Sequence, residues 1–443
     1  DTYQQPGGLV PWGTHLFIDL AEKTFHDIGK GLNHELHGWF PVFDFLWDVR
    51  PDATERLVKG MWNAHVIDWG KLIFNRHGDI TKPTDFDTVW DHAFEHPRPL
   101  IETESKLTFV DCGAHLVDAG MRLYMLNRDT GARQWAQRLN DLFVAARHPE
   151  TKLGGYQFTT PIAQNRLPPI EEREGQPVVR RQTFSDYGDR AYNVFGADFG
   201  ELAREANLVG SGESMALYGV TATALLRIGA ALGEEGRRFI AEQVEGLKAY
   251  AHYAYLPENN TFRAVWYDGT DLTGYRPRWP GYYRARFAAE SGTMKPWDIS
   301  KGRLSPGLQI LFSYCAAYRC AADDELWQTV RRMLRGLGCG DPGTRPGNDV
   351  NINPAIEHAD PILLLAILEI YEATGVPEYL QLAERIGTHI TARFEDGLIV
   401  DEETKDADFC IVEPYALLRL EGIKRNAPDR IQPFPGHGGR VYN

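Results

Sequence analysis

Three stretches of this chain share one layout although their letters differ, and internal repetition of that kind fixes an architecture before any single residue does. AHLVDAGMRLYMLNRDTGARQWAQRLNDLFVAARHPETKLGGY begins at Ala114, VTATALLRIGAALGEEGRRFIAEQVEGLKAYAHYAYLPENNTF at Val220, and ADPILLLAILEIYEATGVPEYLQLAERIGTHITARFEDGLIV at Ala359. Each reads as an apolar helix with small residues, a short glycine-containing break, and a second helix with apolar positions three and four apart. A polar turn and a short extended piece follow. The breaks Asp129-Thr130-Gly131 and Ala373-Thr374-Gly375 suit a helix end closed by a left-handed glycine, and Pro377 stands where a following helix can start. Consecutive antiparallel hairpins with the more apolar helix first imply inner and outer layers around a cavity. The expected fold is therefore all-α, an α/α toroid (an incomplete α/α barrel) with short β-hairpins in its loops, as one domain over 1–443. Less regular helical pairs are expected at 15–30, 53–74 and 308–337.

With 43% hydrophobic residues the chain can bury a large core, and its formal charge of -14 argues against a general nucleic-acid or anionic-membrane surface. A polyanionic substrate must then meet a local basic groove. No apolar run in the sequence reads as a bilayer span, so neither nucleic acid nor membrane is expected as a partner. Cys112, Cys315, Cys320, Cys339 and Cys410 are odd in number and widely scattered, which reads as buried thiols rather than a disulfide framework. The chain starts at Asp1 without Met, so removal of a leader and a periplasmic or secreted location are expected over a cytoplasmic one. No phosphate-cradling glycine loop, nucleophile elbow or zinc-finger spacing occurs, which sets aside nucleotide and serine-hydrolase chemistry. Two long connections, 151–190 and 268–303, are rich in Tyr, Trp, Arg and Pro, and connections of that length are usually functional.

The N-terminal quarter holds the densest set of metal-competent groups: His15, His34, Glu35, His37, His65, Asp68 and the pair Arg76-His77. Imidazole nitrogens and a carboxylate together suit a divalent transition metal. The segment WNAHVIDWGKLIFNRHG runs from Trp62 to Gly78. Trp62, His65, Trp69 and Leu72 fall on one helical stripe, which places Arg76 and His77 in a last turn ended by Gly78. There the pair can address one cavity or simply offset the helix dipole. His34 and His37, three apart, would share a helix face.

This segment, preceded by Glu35 and the earlier His15, resembles polysaccharide lyase family 2, the transition-metal-assisted pectate lyases with an α/α toroid fold. The resemblance is carried by the stretch up to Gly78. It implies that His15, Glu35 and His77 hold the metal, manganese foremost with nickel, cobalt or zinc as alternatives. It also implies that Arg76 is the catalytic base of a β-elimination on a uronate polysaccharide such as pectate. Arginine in water stays protonated beyond pH 12, so it serves as a base only where the site disfavours its charge or a neighbour takes the proton. Grip on further uronates is expected from Arg276, Arg278, Trp279, Tyr283, Arg284 and Arg286, since guanidinium pairs with carboxylate and aromatic faces stack on sugar rings. Glu357 and His358, ahead of the third repeat, form a second candidate wall, with turn chemistry as the plain alternative. Competing readings are a glycoside hydrolase such as an unsaturated-uronyl hydrolase using two of Asp186, Glu213, Glu290 and Glu357, a sugar epimerase using paired histidines, and a non-catalytic binder of acidic glycans.

Overall fold

The computed structural model of the protein describes residues 4–11, 16–27, 33–36, 42–96, 99–103, 108–161, 170–173, 176–179, 189–273, 275, 307–395, 397–399, 412–432 and 434. Packing groups the chain into two compact units, Asp1–Glu213 with Arg263–Gly302, and Ser214–Phe262 with Arg303–Asn443.

The first unit opens with an antiparallel hairpin, β1 (Leu16–Asp19) and β2 (Thr24–Asp27), where a helix was expected. Asp19 Oδ1 accepts the backbone N–H groups of Ala21 and Glu22, which tightens the turn and ends any helical run. Strand β3 (Asn33–Glu35) follows, then helices α1 (Phe43–Val49) and α2 (Pro51–His65), the latter with proline in its first turn. The helix expected to continue to residue 74 stops at His65. Val66 is extended, and the chain forms β4 (Val66–Asp68), β5 (Ile73–Phe74) and β6 (His77–Asp79). β4 pairs with β5, and Lys71 N–H donates to Asp68 Oδ1 in the turn between them. The hairpin folds Trp69 back over Trp62, ring centroids 6.0 Å apart, so the apolar stripe read as helical is made by a turn of chain instead.

Helices α3 (Val110–Asn127) and α4 (Thr130–Ala145) are the hairpin of the first repeat. Every residue of α3 from Val110 to Met121 is buried, whereas α4 buries one stripe (Ala132, Trp135, Ala136, Leu139, Asn140, Leu142, Phe143). All-round against one-sided burial is the difference between an inner and an outer helix. The break differs from expectation: Arg128 takes the left-handed conformation (φ 64°), Asp129 caps α4 by accepting from Ala132 N–H, and Gly131 lies inside the first turn. Gly131 is needed for space, because a Cβ there would lie 2.6 Å from the Trp90 ring. Helix α5 (Asp189–Phe199) packs Ala191 and Phe195 on Trp266, Leu208 and Leu272.

The second unit carries the other two repeats. A π-helical turn (Met215–Thr221) leads into α6 (Ala222–Leu232), and α7 (Arg237–Ala254) returns to a hairpin of Tyr255–Leu256 with Thr261–Phe262. Helices α8 (Leu308–Ala321) and α9 (Asp324–Gly336) form the pair expected at 308–337. Then come α10 (Pro361–Thr374), α11 (Pro377–Thr391) and α12 (Glu413–Lys424). Gly375 closes α10 at φ 69° and Pro377 opens α11, as read from the sequence. Leu363 to Ile370 are all buried, each large apolar side chain contributing about 1.5–3 kcal/mol. A buried ion network crosses these helices: Arg227 makes two bonds to Glu369, Arg319 reaches Glu369 and Glu372, and Arg419 reaches Glu372. One helical run, Gly212–Ala254, contains an 18-residue stretch apolar enough to cross a bilayer, contrary to the sequence reading. That stretch is 72% buried within the protein, the pattern of a core helix.

The all-α class of antiparallel helical hairpins with short β-hairpins in the loops is the class the chain adopts. Among the described residues Cys112, Cys315, Cys320 and Cys339 are free thiols.

Candidate metal and catalytic centre

Strands β3 and β6 pair antiparallel with Glu35 opposite His77, His34 opposite Gly78 and Asn33 opposite Asp79. Residues directly opposite across a ladder project to the same face, so the register itself brings the Glu35 carboxylate to the His77 imidazole. His77 Nδ1 lies 3.1 Å from Glu35 Oε1. Arg76 Nε–H donates to His77 Nε2 at 3.2 Å, and Arg76 Nη2 stands 4.0 Å from Glu35 Oε1. The Glu35 side chain is 1% exposed while those of Arg76 and His77 are 31% and 28% exposed, so the cluster has a buried acid floor and an accessible basic rim.

The donor set fits a metal on one further observation. His77 Nδ1 is buried and makes no hydrogen bond, although a carboxylate oxygen is 3.1 Å away. A separation of that size lets both atoms bond one ion at the ~2.0–2.2 Å usual for nitrogen and oxygen donors. To bond a cation through Nδ1 the neutral ring carries its proton on Nε2, so the Arg76 Nε–H contact to Nε2 gives way when the ion binds. Carboxylate plus imidazole is the chemistry of manganese, cobalt, nickel or zinc rather than of a soft-thiolate site.

The backbone around the cluster is held from several sides. Leu36 N–H donates to Arg76 O at 2.9 Å, extending the ladder by one bond. Asn75 Oδ1 accepts from His77 N–H at 3.0 Å. From α3, the Cys112 thiol donates to Leu36 O at 3.3 Å, and burial pushes that thiol well above its usual range, which keeps it protonated and inert. From the end of α2, His65 contacts Asn75, Gly78 and His34, and its complete burial lowers its imidazole to about 4.

Of the residues singled out in the sequence, Glu35, Arg76 and His77 come together, Glu35 and His77 on paired strands and Arg76 in the bend before β6, rather than on a helix and its last turn. His34 likewise lies on β3, so the helix face shared with His37 does not form through it. His15 and His37 lie outside the described residues, as do Arg276, Arg278, Trp279, Tyr283, Arg284 and Arg286, and Asp186 and Glu290 of the hydrolase alternative. Glu357 and His358 sit in the second unit, exposed on the loop before α10, with the His358 ring 2.7 Å from Leu337 O. Their neighbours do turn chemistry: Asp360 caps α10 and Asn353 bonds Gly338 O and Ala355 N–H. Asp19, Glu22 and His26 also bring three donors together on the β1–β2 hairpin, but at the surface and with Asp19 occupied by its turn. Sequence reading missed Asn75 as the side chain that fixes His77. The signal available was its position two residues before a candidate ligand, where an Asx turn bonds forward.

A family profile described as "Periplasmic pectate lyase" matches residues 1–442. The pectate disaccharide-lyase of Dickeya dadantii (strain 3937) is 31% identical over 454 residues, covering 98% of this chain and 75% of that protein. Among solved structures, cellobiose 2-epimerase from Bacillus thermoamylovorans B4167 is similar at a TM-score of 0.44 and 12% identity, over 86% of this chain and 85% of that one. The unsaturated glucuronyl hydrolase of Bacillus sp. GL1 gives a TM-score of 0.40 and 12% identity over 87% and 85%. The profile spans nearly the whole chain and the curated relative aligns over 98% of it at 31% identity, so this chain belongs to the family of periplasmic pectate lyases.

Proposed function

We propose that this member of the pectate lyase family cleaves polygalacturonate by metal-assisted β-elimination, with Arg76 as the base and Glu35 and His77 holding the cation, joined by His15. The observation that carries the reading is the convergence of Glu35 and His77, facing each other across one strand pair, with Arg76 from the residue just before the second strand. The proposed ion is manganese, with nickel, cobalt or zinc compatible with the same donors. When bound, it supplies the positive charge that neutralises a uronate carboxylate and makes the C5 proton acidic. Arg76 in its deprotonated form takes that proton, the C5–H electron pair becomes the C4=C5 double bond of the product, and the C4–O bond breaks with its pair on the departing sugar's oxygen, which takes a proton from solvent. The Arg76 side chain is partly open to solvent, which leaves it reachable by a sugar, while Glu35 lies below it out of contact with water. Glu357, His358 and the Arg- and Tyr-rich segment 276–286 are proposed to contact further uronates. The family description supports a periplasmic location.

The test separates the two roles. Arg76→Ala is expected to lose turnover by about 10²-fold or more, the scale of a removed general base, while keeping its metal. His77→Ala is expected to lose turnover and bound metal together, read by elemental analysis of the purified variants. Turnover retained in Arg76→Ala removes it as the base, and metal retained in His77→Ala removes it as a ligand.

A further inference from the structure

Between Asn75 and Gly78 the chain must hold Arg76 and His77 in register with Glu35, yet it is a short strand approached by a turn. The last residue of α2 clasps it. Asn75 N–H donates to His65 O at 3.0 Å, and the His65 ring returns a contact from Nδ1 to Asn75 O at 2.8 Å. A carbonyl only accepts, so the proton of the neutral ring is on Nδ1. Nε2 then carries the lone pair, and His34 Nδ1, 3.0 Å away, donates to it. The same ring lies on the backbone of Gly78: a Cβ there would come within 2.7 Å of Nε2 and 2.8 Å of Cδ2 and Cε1. His65 therefore touches the chain on both sides of the Arg76-His77 pair, at Asn75 before β6 and at Gly78 within it, and β3 through His34, and it is fully buried.

We propose that His65 is a positioning residue for the elimination, its Nδ1–H···O=C bond to Asn75 setting the backbone from which Arg76 and His77 reach Glu35. The proposal rests on the assignment of those three residues given above. A shift of about 1 Å at a catalytic group costs on the order of 10²-fold in rate. Loss of a group that orients a ligand costs about 10- to 100-fold in metal affinity.

Three variants divide the ring's functions. His65→Asn keeps a donor where Nδ1 stood, His65→Gln keeps a polar atom where Nε2 stood, and His65→Phe keeps only the packing on Gly78. Each full-length variant is assayed for kcat and KM on polygalacturonate, and for Mn²⁺ affinity by calorimetry. The expected result is a kcat lowered by about 10²-fold in His65→Phe and His65→Gln with KM within about threefold, Mn²⁺ binding at least about tenfold weaker, and substantial recovery of both in His65→Asn. A folded His65→Phe with kcat and Mn²⁺ affinity within twofold of the wild type overturns the proposal. If His65→Phe does not fold, His65→Asn no better than His65→Gln overturns it equally. A wild-type protein inert on polygalacturonate removes the lyase reading instead, and the Mn²⁺ affinities alone then decide whether His65 positions the site.

Discussion

Asn75, Arg76, His77 and Gly78 are consecutive and do three different things: the first fixes the third, the second and third face a carboxylate, and the fourth leaves room for an imidazole. The residue types were legible, because Arg before His after a tryptophan-rich run is a distinctive string. Their setting was not, because Trp62, His65, Trp69 and Leu72 satisfy a helical period equally well when a hairpin folds Trp69 back on Trp62. The significance of His65 was hidden for the same reason: its partners Asn75, Gly78 and His34 lie ten or more residues away in sequence. Its burial also has a consequence for stability. The folded imidazole, lowered to about 4, gains its proton later than the unfolded one as pH falls. The unfolded chain thus binds more protons below about pH 6.5, and the stability held by neutral His65 is full above that value and lost as pH falls towards 4. Between pH 7 and pH 5 this amounts to about 2 kcal/mol. Asp118 works in the opposite sense, since burial raises its carboxyl to about 6 and its ionisation cost is relieved in acid. Urea denaturation of wild type and His65→Phe at both pH values isolates the histidine, because Asp118 is common to the two. The wild type is expected to lose about 2 kcal/mol more than the variant on acidification, and equal losses would show that His65 is not buried neutral.

At the scale of elements, the second helix of each repeat and the first were told apart correctly by how apolar they are, and α3 against α4 and α10 against α11 differ in burial as that reading requires. The helix breaks were harder. Gly375 closes α10 in the left-handed region, but in the first repeat Arg128 takes that conformation and Gly131 serves packing. A glycine in a break is thus required either for its dihedral or for its missing Cβ, and the letters do not distinguish the two. Substitution does. Nothing lies within 4 Å of a Cβ built on Gly375, so Gly375→Ala is expected to cost only the backbone term, about 1–2 kcal/mol in chemical denaturation, with kcat unchanged. Gly375→Asn should cost less, as asparagine tolerates that region. A cost near zero for Gly375→Ala would mean the turn relaxes away from its left-handed form. Where helix gave way to strand, at residues 16–27 and beyond His65, side-chain bonds from Asp19 and Asp68 to following backbone N–H groups closed the turns. Such local competition is invisible to a periodicity argument.

At the scale of the whole molecule, the repeats gave the fold class because it depends on apolar patterning that recurs three times, and tertiary packing enforces the same pattern. The site depended on a strand register, which follows from how the chain returns on itself after α2. The net charge of -14 excludes a uniformly basic face, and family membership supplies an acidic polysaccharide as the substrate class all the same. The proposed reaction is cleavage of pectate by elimination with a bound cation. The most direct measurement is ultraviolet absorbance during incubation with polygalacturonate, with and without a chelator and with manganese restored afterwards. Metal-assisted elimination predicts a rising absorbance from the conjugated double bond, arrested by the chelator and resumed with the metal. A flat trace alongside growing reducing ends would contradict it, because the bond would then be broken by hydrolysis.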